Sequence, residues 1–148
     1  MPREKDENHP DQKDATRGRI EALMKDMDIA MFATHSDDGT IASRPMSNNR
    51  EVEYSGTSLY FTLEDKRVAR DIAANSQVTL NFQADSQWLS VQGEAVLIDD
   101  RVAFEEHYVS DLDQWIEDGI DCPGLVLIEV RAVRATAWGA VSGEVIYA

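Results

Sequence analysis

The basic residues best suited to bind an anion fall at the end of one predicted strand and at the start of one predicted helix. Arg44 ends the strand-like segment "TIASRPMS", and Lys66, Arg67 and Arg70 open a helix after "YFTLED". A phosphate suits this arrangement, because the first amides of a helix lack intrahelical acceptors and cationic side chains add charge-assisted hydrogen bonds. The alternative is that all four side chains are ordinary solvated cations. The residues alone leave both interpretations open.

Other common catalytic chemistries lack their motifs. The sequence has no glycine-rich dinucleotide or phosphate loop, no HExxH and no paired CxxC, which argues against Rossmann, P-loop and common zinc sites. The three histidines are far apart in the sequence, which favours surface or structural roles. Cys122 lies among acidic residues, an unfavourable setting for a nucleophilic thiolate. We therefore predict no metal site, and the catalytic residues stay unknown.

The elements that must position the cations are predominantly strands. Alternating apolar residues predict six of them. In "QVTLNFQ", for example, Val78, Leu80 and Phe82 alternate with polar residues. Gly39 is suited to a hairpin turn, and Gly93 marks a bulge or a close approach of two chains. The predicted segments are two runs on either side of the turn at 37–39, then 58–63, 77–83, 88–98 and 124–138.

Helical periodicity is confined to short segments between the strands. Residues 1–13 are polar and form a predicted disordered tail. A helix follows, with Asp14 or Thr16 as its N-cap, and others are predicted over 65–74, from Asp100 to about His107, and near Ser110. Short connections between most strands favour an antiparallel sheet or barrel with helices packed outside. Residues 14–148 are therefore predicted to form one domain.

Composition limits the choice of partners. The formal charge is −14 over 148 residues, which argues against nucleic acid and anionic membranes as partners. The lone cysteine excludes an internal disulfide and fits a reducing cytoplasm. No segment approaches the roughly 18 apolar residues of a membrane span. A soluble cytoplasmic protein is expected, and any anionic ligand must be held by a local group of cations.

The order of several motifs resembles one known family. The motifs "ASRPM", "LYFTLEDKRVARDIAANSQVTLNF" and "WLSVQGEAVLIDD", with a final strand ending in "TAW", are together similar to the general stress protein 26 branch of the pyridoxamine 5′-phosphate oxidase-like split barrels. The resemblance covers roughly residues 16–140. It implies a mainly β (α+β) fold, a six-stranded antiparallel Greek-key split barrel with peripheral helices. It also implies a homodimer with FMN at the subunit interface.

The resemblance also assigns residues to the cofactor. It implies that Arg44 reaches the FMN phosphate or ribityl chain and that the backbone of Pro45 and Met46 lies against the isoalloxazine ring. Arg67 aligns with the phosphate-binding lysine of the family, and Lys66 is the alternative. Family members often carry a serine where this chain has Asp65, which is left as a candidate helix cap. The remaining implied cofactor-binding residues are Phe61, Thr62, Trp88 and Trp138, with the tryptophans contributed by either subunit or simply packing at the barrel end.

The implied activity is flavin-dependent electron transfer to or from an unknown small molecule. Authentic pyridoxamine-phosphate oxidation is disfavoured, because the chain ends soon after Trp138. FAD or the deazaflavin F420 could replace FMN. A different class of function is a stress-related flavin-binding or flavin-storage protein without turnover, and a third is a heme binder on the same barrel.

Overall fold

The computed structural model describes residues 10–47 and 54–147, with side chains described from Thr16 onward. The described part contains three α-helices, two short 3-10 helices and seven strands. The α-helices are α1 Pro10–Leu23, α2 Arg67–Ala74 and α3 Arg101–His107, and the 3-10 helices are Ser110–Gln114 and Gly119–Asp121. The strands are β1 Ile29–His35, β2 Ile41–Ser47, β3 Thr57–Leu63, β4 Gln77–Ala84, β5 Gln87–Ile98, β6 Leu125–Trp138 and β7 Gly143–Ile146.

The strands form one antiparallel sheet with two unpaired ends. Their order is β2-β1-β4-β5-β6-β3, and β7 also pairs with β6. The strand β6 is long enough to pair with β5 along one side and with β3 and then β7 along the other. Among the described residues, β2 pairs with β1 alone and β3 pairs with β6 alone. The sheet is therefore open at β2 and β3.

The sheet curls around a common apolar interior. The rings of Phe32 on β1 and Tyr60 on β3 lie edge to face with centroids 5.4 Å apart, although three strands separate β1 from β3 in the sheet order. Both side chains belong to the main core, which also contains residues of α1 and α2. Because aromatic pairs of this geometry form only across a few ångströms, the two ends of the sheet are brought towards each other.

Glycine permits two local features of the sheet that the sequence predicts. Gly39 has φ +85° in the turn between β1 and β2, a conformation that side chains with a Cβ rarely adopt. The register of β5 against β6 shifts between Gln92 and Gly93, and a Cβ on Gly93 would lie 2.6 Å from the carbonyl oxygen of Arg131. The predicted bulge and close approach at Gly93 are confirmed.

The position of Pro45 follows from the sheet order. Strand β2 is a terminal strand, and Pro45 lies opposite Met31 of β1, its only neighbour among the described strands. Proline cannot donate to a sheet ladder, and this defect is tolerated where one side of the strand has no partner. Pro45 points outward and is exposed, whereas Arg44 and Met46 are half-buried on the inner side.

Three sequence-based expectations need correction. The antiparallel α+β class is confirmed, but seven strands are present instead of six, because β7 was not predicted. Helix α1 begins at Pro10, so neither Asp14 nor Thr16 is its N-cap and residues 10–13 are helical. The rest of the predicted tail, residues 1–9, lies outside the described residues. No helix within the described segments is long and apolar enough to span a bilayer.

Candidate functional site

Arg44 lies at the inner side of the sheet, where it joins β2 to β1 and α2. Its Nη1 donates to the carbonyl oxygen of Phe32 at 3.1 Å and to Oγ1 of Thr34 at 2.8 Å. Its Nη2 lies 3.6 Å from Oδ2 of Asp71, on α2. The side chain is 22% exposed. Arg44 is therefore not the freely solvated strand arginine of the alternative interpretation.

The carboxylate of Asp71 organises this inner cluster. Asp71 is 6% exposed, and its Oδ2 accepts from Oγ1 of Thr34 at 2.7 Å and from Oγ of Ser36 at 3.4 Å. Together with Arg44, these hydroxyls compensate a charge that would be costly to bury alone. Burial lowers the pKa of Arg44, the nearby Asp71 opposes that shift, and the positive charge of Arg67 adds to it. We call Thr34, Ser36, Arg44 and Asp71 the inner polar cluster.

Two more arginines extend the positive charge towards solvent. Arg67 and Arg70 line a small cavity of about 150 Å³ with Asp37, Asp71 and Ala74. Three arginines, Arg44, Arg67 and Arg70, lie near three carboxylates, Asp37, Asp38 and Asp71, in this region. The charges of this region therefore balance, in a chain with a formal charge of −14.

The start of α2 borders the same cavity. Lys66 is the N-cap residue, and no side chain forms a cap hydrogen bond. Asp65 does not cap the helix as expected, because it precedes the cap position and its carbonyl oxygen accepts from Nη1 of Arg70 at 3.1 Å. Within the described part of the chain no side-chain cap is present at the start of α2, and the first amides of a helix are suited to an anion. Of the two alternatives, Arg67 lines the cavity and Lys66 does not.

The predicted residues of β3 can offer backbone groups more readily than side chains. The ring of Phe61 packs against Phe104 at 5.9 Å and Tyr108 at 5.5 Å between centroids, in a small second core. Phe61 and Thr62 pair with Leu127 and Val126 of β6 on one side only. The other edge of β3 has no strand partner among the described residues. Its backbone groups on that edge are available for a ligand.

The two tryptophans are neighbours on the opposite side of the sheet. Trp88 and Trp138 lie directly across from each other in the β5–β6 ladder. They are 42% and 52% exposed, and their strands alternate so that both point away from the core. The inner polar cluster and the tryptophans are thus separated by the sheet within one chain.

A larger cavity of about 470 Å³ lies on the outer face beside the bulge. None of the nine predicted cofactor residues lines it. Its titratable side chains are His35 and Glu94, whereas the smaller cavity has two arginines and adjoins an uncapped helix start. A cavity that lacks cations does not suit a phosphate, so we place the candidate site at the inner polar cluster, Arg67 and the start of α2.

Asp71, Thr34 and Ser36 were not predicted as functional residues. Asp71 follows Val68 by three positions and precedes Ile72, so it falls on the buried face of α2. A carboxylate on the apolar face of a helix is a signal that a partner is needed, because an unpaired buried charge is strongly unfavourable. The sequence gives no comparable signal for Thr34, which alternates with Ala30 and Phe32 on the inner face of β1.

The curled antiparallel sheet, open between β2 and β3 and carrying cations at the start of α2, defines a split barrel. The model of the family described as pyridoxamine 5′-phosphate oxidase like matches residues 15–148. The chain therefore belongs to this family, as the motif resemblance predicts. Comparison with curated proteins found no match.

Solved structures share this fold at low sequence identity. General Stress Protein 26 from Bacillus anthracis str. Sterne is 16% identical with a TM-score of 0.74, covering 88% of this chain and 98% of that one. A protein related to general stress protein 26 of B. subtilis, from Clostridium acetobutylicum, is 16% identical with a TM-score of 0.73, covering 91% and 94%. A structure named F420 Reductase is 21% identical with a TM-score of 0.58, covering 78% and 94%. These likenesses establish the fold and leave the ligand open.

Proposed function

We propose that the protein is an FMN-dependent oxidoreductase that transfers electrons to or from a small molecule. The observation that carries the proposal is the convergence of Arg44 and Arg67 on one side of an uncapped helix start, next to the open edge of β2. In a chain this acidic, three arginines gathered near one helix start require an explanation, and a phosphate monoester provides one.

The donor groups suit the parts of FMN. Arg67, the first amides of α2 and Arg44 would hold the phosphate, with Lys66 adding charge from the N-cap position. The open edges of β2 and β3 would receive the ribityl chain and the ring, along the backbone of Pro45 and Met46 and of Phe61 and Thr62. When bound, the flavin supplies the redox chemistry, and the protein positions it and excludes water from one face.

The outer face supports a homodimer. Five side chains in register across five strands, Pro45, Met31, Asn81, Ser90 and Thr136, carry no ionisable group. The row beside it, made of Ser47, Ile29, Gln83, Trp88 and Trp138, is also neutral. We call these ten residues the neutral outer face. Four of its apolar side chains are 42–52% exposed, namely Ile29, Met31, Trp88 and Trp138.

Charge explains why this face suits a second copy. Two chains of −14 repel each other over most of their surfaces, and an uncharged apolar face is where that repulsion is weakest and burial is most favourable. In such a dimer, Trp88 and Trp138 of one chain would complete the flavin site of the other. This gives the tryptophans a role that they cannot have on the outer face of a single chain.

The choice among flavins and the cellular setting follow from the same features. A terminal phosphate next to Arg67 favours FMN. FAD would place a pyrophosphate there instead, and a deazaflavin such as the F420 in the name of the F420 Reductase structure would place a phosphodiester there. The single cysteine, Cys122, fits the reducing cytoplasm, where a general stress protein of this family would act on soluble redox partners.

The experiment that tests the proposal has two parts. The purified protein is titrated with FMN, followed by flavin fluorescence, and saturation at one FMN per chain is expected. The loaded protein is then mixed anaerobically with NADH or NADPH, and bleaching of the flavin absorbance near 450 nm is expected. FMN binding without turnover, when NADH, NADPH or a chemical donor is supplied together with an electron acceptor, supports the storage function instead. Absence of flavin binding, or a heme Soret band, contradicts the proposal.

A further inference from the structure

Three hydroxyl groups inside the barrel lack hydrogen-bond partners among the described residues. They are Tyr54 Oη, Ser58 Oγ and Tyr60 Oη. Tyr60 is 3% exposed and Ser58 is 6% exposed, so bulk water does not reach these oxygens. Almost all buried hydroxyls in folded proteins are hydrogen-bonded, because an unpaired one loses its hydration without compensation. Three together in one core therefore need an explanation.

Local structure brings the three groups to one place. Ser58 and Tyr60 are two residues apart on β3 and both point inward, whereas Leu59 between them packs in the second core. Tyr54 lies just before β3 and packs against the main core. Burial is the largest cause raising the pKa values of both phenols, and the nearby Ser58 hydroxyl partly opposes the shift in each. Ser58 is thus close to both phenols, but no pair meets hydrogen-bond geometry.

The surroundings select a neutral polar ligand. Besides burial, the charge of the Glu21 carboxylate raises the pKa of Tyr54. Glu21 already accepts from Oη of Tyr147 at 2.7 Å and from Nε of Arg17 at 3.3 Å. Three neutral hydroxyls can each donate or accept. A group of this kind matches a water molecule, which in protein interiors typically makes about three hydrogen bonds.

We propose that the barrel interior binds one ordered water molecule, held by the hydroxyls of Tyr54, Ser58 and Tyr60. The water satisfies all three groups at once, since no direct contact among them meets hydrogen-bond geometry. It also fixes the inner side of β3, the strand whose free edge, in the described part of the chain, offers backbone groups near Phe61 and Thr62. The site is separate from the flavin proposal and does not depend on it.

A crystal structure of the wild-type protein at about 1.5 Å resolution tests the site directly. A single density peak within about 2.6–3.2 Å of all three oxygens is expected. A structure in which Ser58 bonds directly to one phenol, with no peak between the groups, would overturn the proposal. The proposal would also be overturned if all three hydroxyls were found more than about 4 Å from any ordered water.

The sign of a stability change provides an independent test. If the water is present, Tyr60→Phe and Ser58→Ala each remove one of its partners, and both should lower the Tm by roughly 2–5 °C. If the hydroxyls are truly unpaired, removing one relieves a buried polar group, and the Tm should rise. A rise in both variants overturns the proposal.

Tyr108→Phe is the matched control for the loss of a phenol hydroxyl. Oη of Tyr108 donates to Oδ1 of exposed Asp113 at 2.7 Å, a surface bond that water can replace. Its Tm should change by less than about 2 °C, because exposed hydrogen bonds contribute little net stability. An equal loss in the control and in Tyr60→Phe would count against the buried water.

Discussion

The inner polar cluster and the neutral outer face lie on opposite sides of the same strands and use opposite solutions to burial. In the inner cluster, opposite charges are paired: Nη2 of Arg44 lies 3.6 Å from Oδ2 of Asp71, and the hydroxyls of Thr34 and Ser36 donate hydrogen bonds to the same carboxylate oxygen. The ten residues of the neutral outer face carry no charge and leave Trp88 and Trp138 exposed, and the first charged residue in register with them is Glu144 of β7, opposite Thr136. One region is satisfied within its own chain, and the other is not. A cofactor that needs both regions requires two chains.

Removing Asp71 should give the largest effect, because it breaks the charge balance of the inner cluster. Asp71→Ala leaves Arg44 without its buried counter-ion and two hydroxyls without an acceptor. We expect the free energy of unfolding to fall by about 2–4 kcal/mol, measured by urea denaturation. This lies at the lower part of the range for buried pairs, since Arg44 is partly exposed.

The control is an ion pair on the surface. Glu105→Ala removes one of the two carboxylate partners of Arg101, whose Nε lies 3.4 Å from Oε1 of Glu105 and whose Nη1 lies 2.6 Å from Oδ1 of Asp121, with all three side chains more than half exposed. Such pairs contribute about 0–1 kcal/mol. If Asp71→Ala costs no more than Glu105→Ala, the inner cluster is not a compensated buried network.

Removing a phosphate-binding cation should weaken FMN selectively. Arg67→Ala and Arg44→Ala should each reduce FMN affinity by about 1–3 kcal/mol, roughly 5- to 150-fold, because each removes a charge-assisted hydrogen bond to the phosphate. Riboflavin, which lacks the phosphate, should bind Arg67→Ala as it binds the wild type, whereas Arg44→Ala also removes the counter-ion of Asp71 and is compared on folded protein. Isothermal titration calorimetry with the two ligands measures the difference.

Arg19→Ala controls for the loss of one positive charge. Arg19 is exposed on α1, so its removal changes the overall field without touching the inner cluster. Its FMN affinity should stay within about twofold of the wild type. Equal losses in all three variants would mean that net charge, and not the convergence of Arg44 and Arg67, governs FMN affinity.

Changing the tryptophan pair should disturb assembly more than folding. Trp138→Ser removes exposed apolar surface from the neutral outer face and should raise the dimer dissociation constant at least tenfold in analytical ultracentrifugation. Its effect on the folding of each chain should be small. Trp115→Ser is the control, since Trp115 is 72% exposed outside that face. A dimer that is unaffected by Trp138→Ser, or a wild type that is monomeric at all concentrations, argues against the interface.

Salt should change FMN binding and dimerisation in opposite directions, with the smallest effects among these predictions. Raising ionic strength from about 0.05 M to 0.5 M screens the phosphate interactions near solvent and should weaken FMN binding several-fold. The dimer should become tighter, because screening reduces repulsion between two acidic chains. If salt weakens both, charge pairs and not apolar burial hold the interface.

The strands were predictable because their apolar residues alternate strongly over six or more positions, as in β4 and β5. Strand β7 was missed because it spans four residues and buries Val145 alone. The start of α1 was missed because residues 10–13 have no apolar periodicity. A local pattern predicts an element only when several of its residues are apolar and buried at regular spacing. These two segments have too few such residues.

The candidate site was predictable in its cations and not in their partners. Arg44 and Arg67 stand out in an acidic sequence, whereas the contacts of Arg44 with Thr34 and Asp71 depend on how β1, β2 and α2 meet. That Trp88 and Trp138 lie opposite each other follows from the β5–β6 register. That they face away from Arg44 follows from the alternation of inner and outer side chains along β5 and β6.

The most direct test of a site shared between two chains is a crystal structure of the protein with FMN. We expect the phosphate within hydrogen-bond distance of Arg67 and the first amides of α2 in one chain, with Trp88 or Trp138 of the second chain in contact with the flavin ring. FMN bound wholly within one chain, or with its phosphate away from both Arg44 and Arg67, would contradict this account.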